Sequence, residues 1–398
     1  LAKTYICFVR IVWLAGWYPT PSNPLAGIFV QRHFLALSKA LSKNDTVNLF
    51  HICMDGSESS NGVSDGNEHL VTIVPRKGAF SRVINAIRFH QRAYSELKEA
   101  LKKSDLVHVH AGDKIGFWAA WFKRKYGYKL VYTEHWAIFD SSTPDAYENR
   151  NIWFRFYMKW LWKKTDLVAS ISTKLYSSME AKYAVTKPFT VFPNVLDQAF
   201  EESPNNSVPY EKSNDDAVTL LHISNFEARK NVFELIEAVN NLIRSGRKLL
   251  LILIGAGSET FSDHTSDNIV ILPSMNAQEL SEYYKQADGF ILPSDAENSP
   301  CVISEALSFG LPVIATDVGG VSEMINEKNG VLIPRFQTPQ QKENKISEAI
   351  LEFLSKSQTF DRDAIKNHAK DQYGSKPVIH ALIEQYKLLV CAESPEYP

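Results

Sequence analysis

Strand-length apolar runs alternate with helix-length amphipathic segments along this chain, and the alternation starts twice. In the first half RIVWLAG, TVNLFHIC, HLVTIVP, DLVHVHA, KLVYTEH, DLVASIS and PFTVFPN read as strands. FVQRHFLALSKALSK and RVINAIRFHQRAYSELKEALKK read as helices between them. Val/Ile/Leu-rich strands separated by helices imply a parallel sheet covered on both faces. That predicts a doubly wound α/β domain over residues 1–196. The polar stretch LDQAFEESPNNSVPYEKSNDDA then reads as a linker. The pattern resumes with VTLLHIS, LLLILIGAG, NIVILPS, GFILPS, PVIATD and GVLIP, predicting a second Rossmann-like domain over 217–378. The closing KPVIHALIEQYKLLVCAE is one amphipathic helix, and the segment 379–398 is expected to join the first domain. In open parallel sheets ligands sit beyond the carboxyl ends of the strands. Two such domains facing across a cleft are the expected architecture.

With 398 residues the chain is long enough for two cores, and its 44% apolar content excludes disorder. A formal charge of −2 gives no bulk attraction to nucleic acid, so any phosphate binding must be local. Cys7, Cys53, Cys301 and Cys391 are scattered and form no CxxC pair, suggesting neither a zinc site nor a disulfide framework. A reducing cytoplasm is the expected setting. No apolar run is long enough to span a membrane. At the start, Lys3 ahead of apolar residues imitates a secretory signal. Arg10 interrupts that run and bulky Trp17-Tyr18-Pro19 replaces a small-residue cleavage site, so the segment reads as the first β-strand.

The most informative stretch is GFILPSDAENSPCVISEALSFGLPVIATDVGGVSEMI, residues 289–325. A buried strand ends at Pro293-Ser294, and Glu297 stands in the loop beyond it. Ser299 reads as a helix N-cap and Pro300 as the first helical position, with Gly310 as the stop. Glu297 and Glu305 then project near one strand end, and the first-turn amides of Cys301 and Val302 make an anion site. A nucleoside diphosphate sugar needs such a set: amides for phosphate, one carboxylate for ribose hydroxyls, another for the sugar.

This segment resembles the E-x7-E signature of the retaining family-4 glycosyltransferases with the GT-B fold. The likeness continues through Ala306, Gly310, Pro312 to Thr316, Gly319, Gly320 and Glu323, and it covers essentially the whole chain. Other matching pieces are the Gly27 loop in WYPTPSNPLAGIFVQRH, then DLVHVH, YTEH, FPNVLD and LILIGAGSE. The resemblance implies that Glu305 binds the donor ribose, and that Glu297 with the backbone of Asn298, Ser299 and Pro300 holds the transferred sugar. It implies that His110 reaches the sugar and that the Gly27 loop contributes to phosphate binding. It also implies retained anomeric configuration, no metal and no cofactor beyond the nucleotide-sugar co-substrate.

LLHISNFEARKNVFELIEAV, residues 220–239, is the matching phosphate clamp. Lys230 matches the family lysine, but Asn225 stands where the family has an arginine; Arg229 is the candidate replacement, because a guanidinium grips phosphate bidentately. Ser299 replaces the glycine that usually precedes the proline of the sugar-binding loop. His108 and His110 share a face of one strand. The alternative for them is a metal pair with Glu134 or His135 as third ligand. Asp361-Arg362-Asp363 matches a DxD metal pattern but opens a helix, so it reads as a cap. Gly255-Ala256-Gly257 lacks the third glycine of a dinucleotide site and reads as a tight turn.

The expected function is sugar transfer from a nucleoside diphosphate sugar to a hydroxyl of a glycan, lipid-linked or small-molecule acceptor. A nucleotide-sugar epimerase and a non-catalytic nucleotide-sugar-binding subunit are the alternatives. The segment 149–166 interleaves aromatics with Arg and Lys and reads either as core packing or as a membrane-surface helix, on the inner face of the membrane.

Overall fold

The computed structural model describes residues 8–55, 61–64, 66–112, 114–141, 143, 145–201 and 217–391. These fall into two compact units, Leu1–Pro193 with Lys376–Pro398, and Asn194–Ser375.

The N-terminal unit is built on one sheet. Its strands are β1 (Arg10–Ala15), β2 (Thr46–Met54), β3 (Asn61–Ser64), β4 (Glu68–Ile73), β5 (Leu106–His110), β6 (Lys129–Thr133), β7 (Leu167–Ser170) and β8 (Phe189–Val191). They lie in the order β3-β4-β2-β1-β5-β6-β7-β8. All neighbours are parallel except β3 and β4. β3 is a short edge strand whose sequence, NGVS, has no apolar alternation and so was not expected as a strand. Helices α1 (Ile28–Ala40), α2 (Ser81–Lys103), α3 (Gly116–Tyr126), α4 (Ile152–Lys164) and α5 (Thr173–Tyr183) connect the strands. One sheet face carries Val12, Leu14, Val107 and Val109 into a core with α2 to α5. The alternate residues Trp13, His108 and His110 point to the other face, in register across β1 and β5.

The second unit has strands β9 (Val218–Ile223), β10 (Leu249–Ile254), β11 (Ile269–Leu272), β12 (Gly289–Leu292), β13 (Val313–Thr316) and β14 (Gly330–Ile333). Their order is β11-β10-β9-β12-β13-β14, all parallel. Helices α6 (Gln198–Glu201), α7 (Val232–Arg244), α8 (Ala277–Gln286), α9 (Cys301–Ser308), α10 (Val321–Met324), α11 (Lys342–Lys356) and α12 (Arg362–Tyr373) complete it. Apolar cores lie on both faces of the sheet, as near-continuous apolar strands require. The strand order reverses between β9 and β12, so a crevice opens at their carboxyl ends, where such folds bind ligands.

The stretch read as a linker is structured where it begins. Leu196 N donates to Tyr373 O at 2.9 Å, and Phe200 of α6 packs edge-on to Tyr284 at 5.7 Å, so these residues belong to the second unit. The rest of that stretch, 202–216, lies outside the described residues. Helix α13 (Ser375–Cys391) follows α12, and its Tyr386 hydroxyl meets His108 Nδ1 inside the N-terminal unit. Neither Cys53 nor Cys301 is in a disulfide, and Cys7 lies outside the described residues. Asp361 Oδ1 accepts from Ala364 N at 3.0 Å and caps α12, as the capping reading of the DxD triplet requires.

Two glycines set loops that matter below. Gly27 has φ +63° and precedes α1; a Cβ there would lie 2.5 Å from the Trp17 carbonyl carbon. Gly319 has φ +50°, and its Cβ would lie 1.7 Å from Glu297 O. Gly320 N, next to it, donates to Asn298 O at 2.8 Å. The loop after β13 is thus pressed, backbone to backbone, on the loop that carries Glu297. Gly319→Ala combines a left-handed backbone with a direct clash, and we expect a loss of about 2 kcal/mol or more. Urea unfolding of the variant checks this; an unchanged midpoint would show that the loops can separate at no cost.

Candidate active site

The carboxyl ends of β9 and β12 are adjacent, and each is followed by a short loop leading into a helix. After β9 the chain makes a single 3-10 turn, Ala228–Lys230, and Asn231 adopts a left-handed conformation before α7 starts. Asparagine tolerates that conformation better than most residues. Its side-chain amide donates to Pro293 O at 2.7 Å and to Asp295 Oδ1 at 2.9 Å in the loop after β12. Asp295 N donates to Arg229 O at 2.8 Å. Lys342, at the start of α11, closes the network by donating to Asn231 Oδ1 at 2.7 Å and Asp295 Oδ2 at 2.8 Å.

That tie brings Lys230 and Glu297 together. Lys230 Nζ donates to Glu297 Oε1, and both side chains are buried. Arg229 Nη1 stands 3.8 Å from the same oxygen. Burial by itself pushes the Glu297 carboxyl upward, but the Lys230 and Arg229 charges outweigh it and hold the carboxyl below its usual value. His222 on β9 spans the same strand pair: Nδ1 lies 2.8 Å from Ile291 O and Nε2 2.8 Å from Ser224 Oγ. Since a carbonyl only accepts, Nδ1 carries a proton. Burial, aided by the Lys230 charge, pushes its pKa down to about 4.

Arg229 is more open, with 43% of its side chain exposed. Its Nη1 donates to Ala296 O at 3.0 Å, and its Nε donates to Glu227 Oε2 at 2.8 Å. Asn225 Nδ2 donates to the other oxygen of Glu227 at 2.6 Å. Glu227, which the sequence reading passed over, therefore links the residue that replaces the family arginine to the candidate substitute. Burial raises the Glu227 carboxyl, but Arg229 and Asn225 together leave it below its usual value.

The helix beyond Glu297 starts one residue later than expected. Pro300 is the N-cap, Cys301 the first helical residue, and no side chain caps α9. Ser299 Oγ lies instead 3.9 Å from Met324 Sδ, and Ser299 O accepts from Asn194 Nδ2 at 2.8 Å. Pro300 has a φ that a helix accepts, but its ψ of 121° is extended, so the first helical residue is Cys301. Cys301 and Val302 still occupy the first turn, whose amides have no intrahelical acceptor. Glu305 is buried and faces α8, where the Tyr284 hydroxyl donates to its Oε2 at 3.0 Å.

His110 and Gly27 lie in the N-terminal unit. His110 is fully buried beside Trp13, with ring centroids 4.1 Å apart, and beside His108 at 4.0 Å. Its Nδ1 is 3.3 Å from His135 Nε2, and its Nε2 has no hydrogen-bond partner among the described residues. Thr133 Oγ1 donates to Ala169 O at 2.6 Å, so His108 Nε2, 2.7 Å away, must donate to Thr133 and His108 Nδ1 accepts from Tyr386. Glu134 Oε1 accepts the amides of His135 and Trp136 at 2.8 and 3.0 Å. Among the described residues no group of three or more His, Cys, Asp or Glu is placed to hold a metal ion, so the metal-pair alternative finds no third ligand.

With this geometry in hand, family models divide the chain as its fold does. "Glycosyltransferase Family 4" matches residues 30–200, and "Glycosyl transferases group 1" matches 205–372. The chain is a glycosyltransferase of the GT-B fold. TuaC of Bacillus subtilis (strain 168), whose name assigns it to teichuronic acid biosynthesis as a glycosyltransferase, is 24% identical over 343 residues, covering 82% of this chain and 85% of TuaC. Alpha-monoglucosyldiacylglycerol synthase of Streptococcus pneumoniae is 22% identical over 338 residues, covering 74% of this chain and 76% of that protein. The crystal structure of Anabaena HepE in complex with UDP and glucose has the same fold, with a TM-score of 0.65 at 16% identity over 96% of this chain and 100% of HepE. Among the described residues of this glycosyltransferase, no helix is long and apolar enough to cross a membrane.

The buried pair generates a double-mutant prediction. Lys230→Met leaves the Glu297 charge unpaired and should destabilise the second unit by about 3 kcal/mol or more at neutral pH. Adding Glu297→Gln should restore most of that loss without restoring transfer. Urea titrations of the single and double variants decide it; purely additive losses would mean that the two residues do not interact.

A pH prediction follows from the histidines of the N-terminal unit. Burial, above all else, pushes His33 to about 4 and His108, His110 and His135 well below 6.5. In the unfolded chain these rings protonate as pH falls through about 6.5, while the folded unit refuses the protons. Their stability contribution is therefore complete above that pH and declines as the pH falls below it, by up to about 1.4 kcal/mol per pH unit for each ring. Glu134, whose carboxyl burial pushes upward, offsets part of this near the acid end. Calorimetry at stepped pH should show the N-terminal unit weakening first between neutral and mildly acid conditions. A flat midpoint over that window would mean the rings are charged in the folded state.

Proposed function

We propose that this glycosyltransferase moves a sugar from a nucleoside diphosphate sugar to an acceptor hydroxyl, with retained anomeric configuration and without a metal. The observation that carries the reading is the buried meeting of Lys230 and Glu297 at the strand-order switch, beside the first turn of α9. With donor bound, Lys230, Arg229 and the amides of Cys301 and Val302 hold the diphosphate, so Lys230 shares its charge between phosphate and Glu297. Glu297, with the backbone of Asn298, Ser299 and Pro300, then orients the sugar and stabilises the positive charge that builds at its anomeric carbon. Glu305 takes the ribose hydroxyls; its bond from Tyr284 fixes the carboxylate in place. From the N-terminal unit, Gly27 contributes to phosphate binding, and His110 offers its unpartnered Nε2 to the sugar.

In the transfer step the acceptor oxygen bonds to the anomeric carbon as the bond to the phosphate oxygen breaks. The electron pair leaves on the diphosphate, where the cations and helix amides stabilise it. The acceptor proton passes to the departing phosphate oxygen, so no protein nucleophile is required. TuaC and the diacylglycerol relative support a polysaccharide or glycolipid acceptor. A lipid-linked acceptor would be met at the inner face of the membrane, with 149–166 against its surface.

Glu297→Gln and Lys230→Met should each lower kcat/KM for transfer by about a hundredfold or more. Nucleoside diphosphate at 100 times its Kd should add about 2.7 kcal/mol to the second unit, and Lys230→Met should remove that gain. Wild-type transfer rates in both variants would end the assignment.

A further inference from the structure

Helices α2, α3 and α4 pack side by side on one face of the N-terminal unit and join ring to ring. His90 meets Phe117 at 5.6 Å, and Phe117 meets Trp160 at 5.6 Å and Trp121 at 5.6 Å. The outer side of this layer is apolar where a finished surface is polar. Phe80 is 81% exposed, Trp153 79% and Phe156 69%, and Trp121, Ile152 and Ile87 are exposed with them. Large apolar side chains exposed together on three packed helices point to a surface that meets a partner. Between α2 and α3 runs an open groove of ≈ 700 Å³ lined by Val83, Ile87, Tyr94 and Trp118 among others. Phe80 also sits at φ 65°, a conformation that disfavours a bulky side chain, and the fold gains no burial from it.

Charge says what covers this face. Helices α2, α3 and α4 hold thirteen Lys and Arg residues against two Glu, although the whole chain has a formal charge of −2. On α4 the outward stripe runs from Ile152 and Phe156 to Lys159 and Lys163, apolar first and cationic after. Aromatics within a basic rim match the interface of a bilayer with anionic headgroups, where rings enter the acyl boundary and cations meet phosphates.

We infer that the α2–α3–α4 face is a docking surface for an anionic bilayer. It extends the membrane contact proposed for 149–166 to two further helices and the groove between them. It rests on that reading only for direction, not on the donor chemistry.

The test is flotation of the full chain with vesicles of phosphatidylcholine containing about one-third phosphatidylglycerol, against pure phosphatidylcholine, in about 0.1 M and about 0.5 M salt. The protein should float with the anionic vesicles only and release at high salt. Trp153→Ser with Phe156→Ser, Lys159→Glu with Lys163→Glu, and Phe80→Ser should each cut the bound fraction about tenfold. Thermal midpoints should be unchanged, and for Phe80→Ser unchanged or raised. Nucleoside diphosphate binding should be intact in all three, which separates loss of docking from failure of the transferase reading. Equal binding by wild type and variants, no binding to anionic vesicles, or a solution dimer dissolved by Trp153→Ser with Phe156→Ser would overturn the proposal; the last outcome would assign the face to a second copy.

Discussion

A lysine and a glutamate out of water at the ends of two neighbouring strands are the constraint around which the second unit is arranged. Neither charge is tolerable in a buried place without the other. Lys230 and Glu297 stay paired because the loops that carry them are tied twice. Asn231 and Asp295 join them through side chains, with Lys342 bridging both. Gly319 and Gly320 press on the Glu297 loop from the other side. A surface ion pair would contribute little and orient nothing. A buried, tethered one holds its carboxylate ionised and aimed, which a site for a developing positive charge requires.

The N-terminal unit solves a different problem. Of the five buried histidines among its described residues, His33, His108, His110 and His135 lie among Trp13, Phe29 and Phe192, and burial keeps these four uncharged. His108 is satisfied on both nitrogens, one of them by a tyrosine from α13. His110 is not, and an unsatisfied buried nitrogen in a neutral ring is costly unless something uses it. The contrast between two histidines on one strand face separates a structural group from a candidate functional one. Sequence spacing alone treats them alike.

Much of this was legible beforehand because parallel sheets write themselves plainly. A strand buried on both faces must be apolar nearly throughout, and runs such as LLLILI and GFIL became β10 and β12. Of the residues expected from motifs, Lys230 and Glu297 meet at the carboxyl ends of β9 and β12, and Glu305 lies in α9 against Tyr284. The expected Ser299 cap slipped by one residue because proline fixes φ but not ψ, and the ψ of Pro300 is extended. The role of Lys342 was invisible: it stands 111 residues from Asn231, and no local pattern marks a lysine at a helix start as a bridge. Glu227 was passed over because an exposed glutamate in a polar loop looks ordinary until its two partners are seen.

The order of residues dictated which segments become strands and helices, since hydrophobic periodicity and backbone preference act within a few positions. It also dictated the two-unit plan and the chemical kinds of side chain available to the site. What folding in three dimensions settled was pairing: Lys230 with Glu297, Glu305 with Tyr284, Asn225 with Arg229 through Glu227, and His108 with Tyr386. Those contacts depend on strand order and loop path, which bring distant residues within a few ångströms. Burial is likewise a property of the folded whole, and it decides which charges persist.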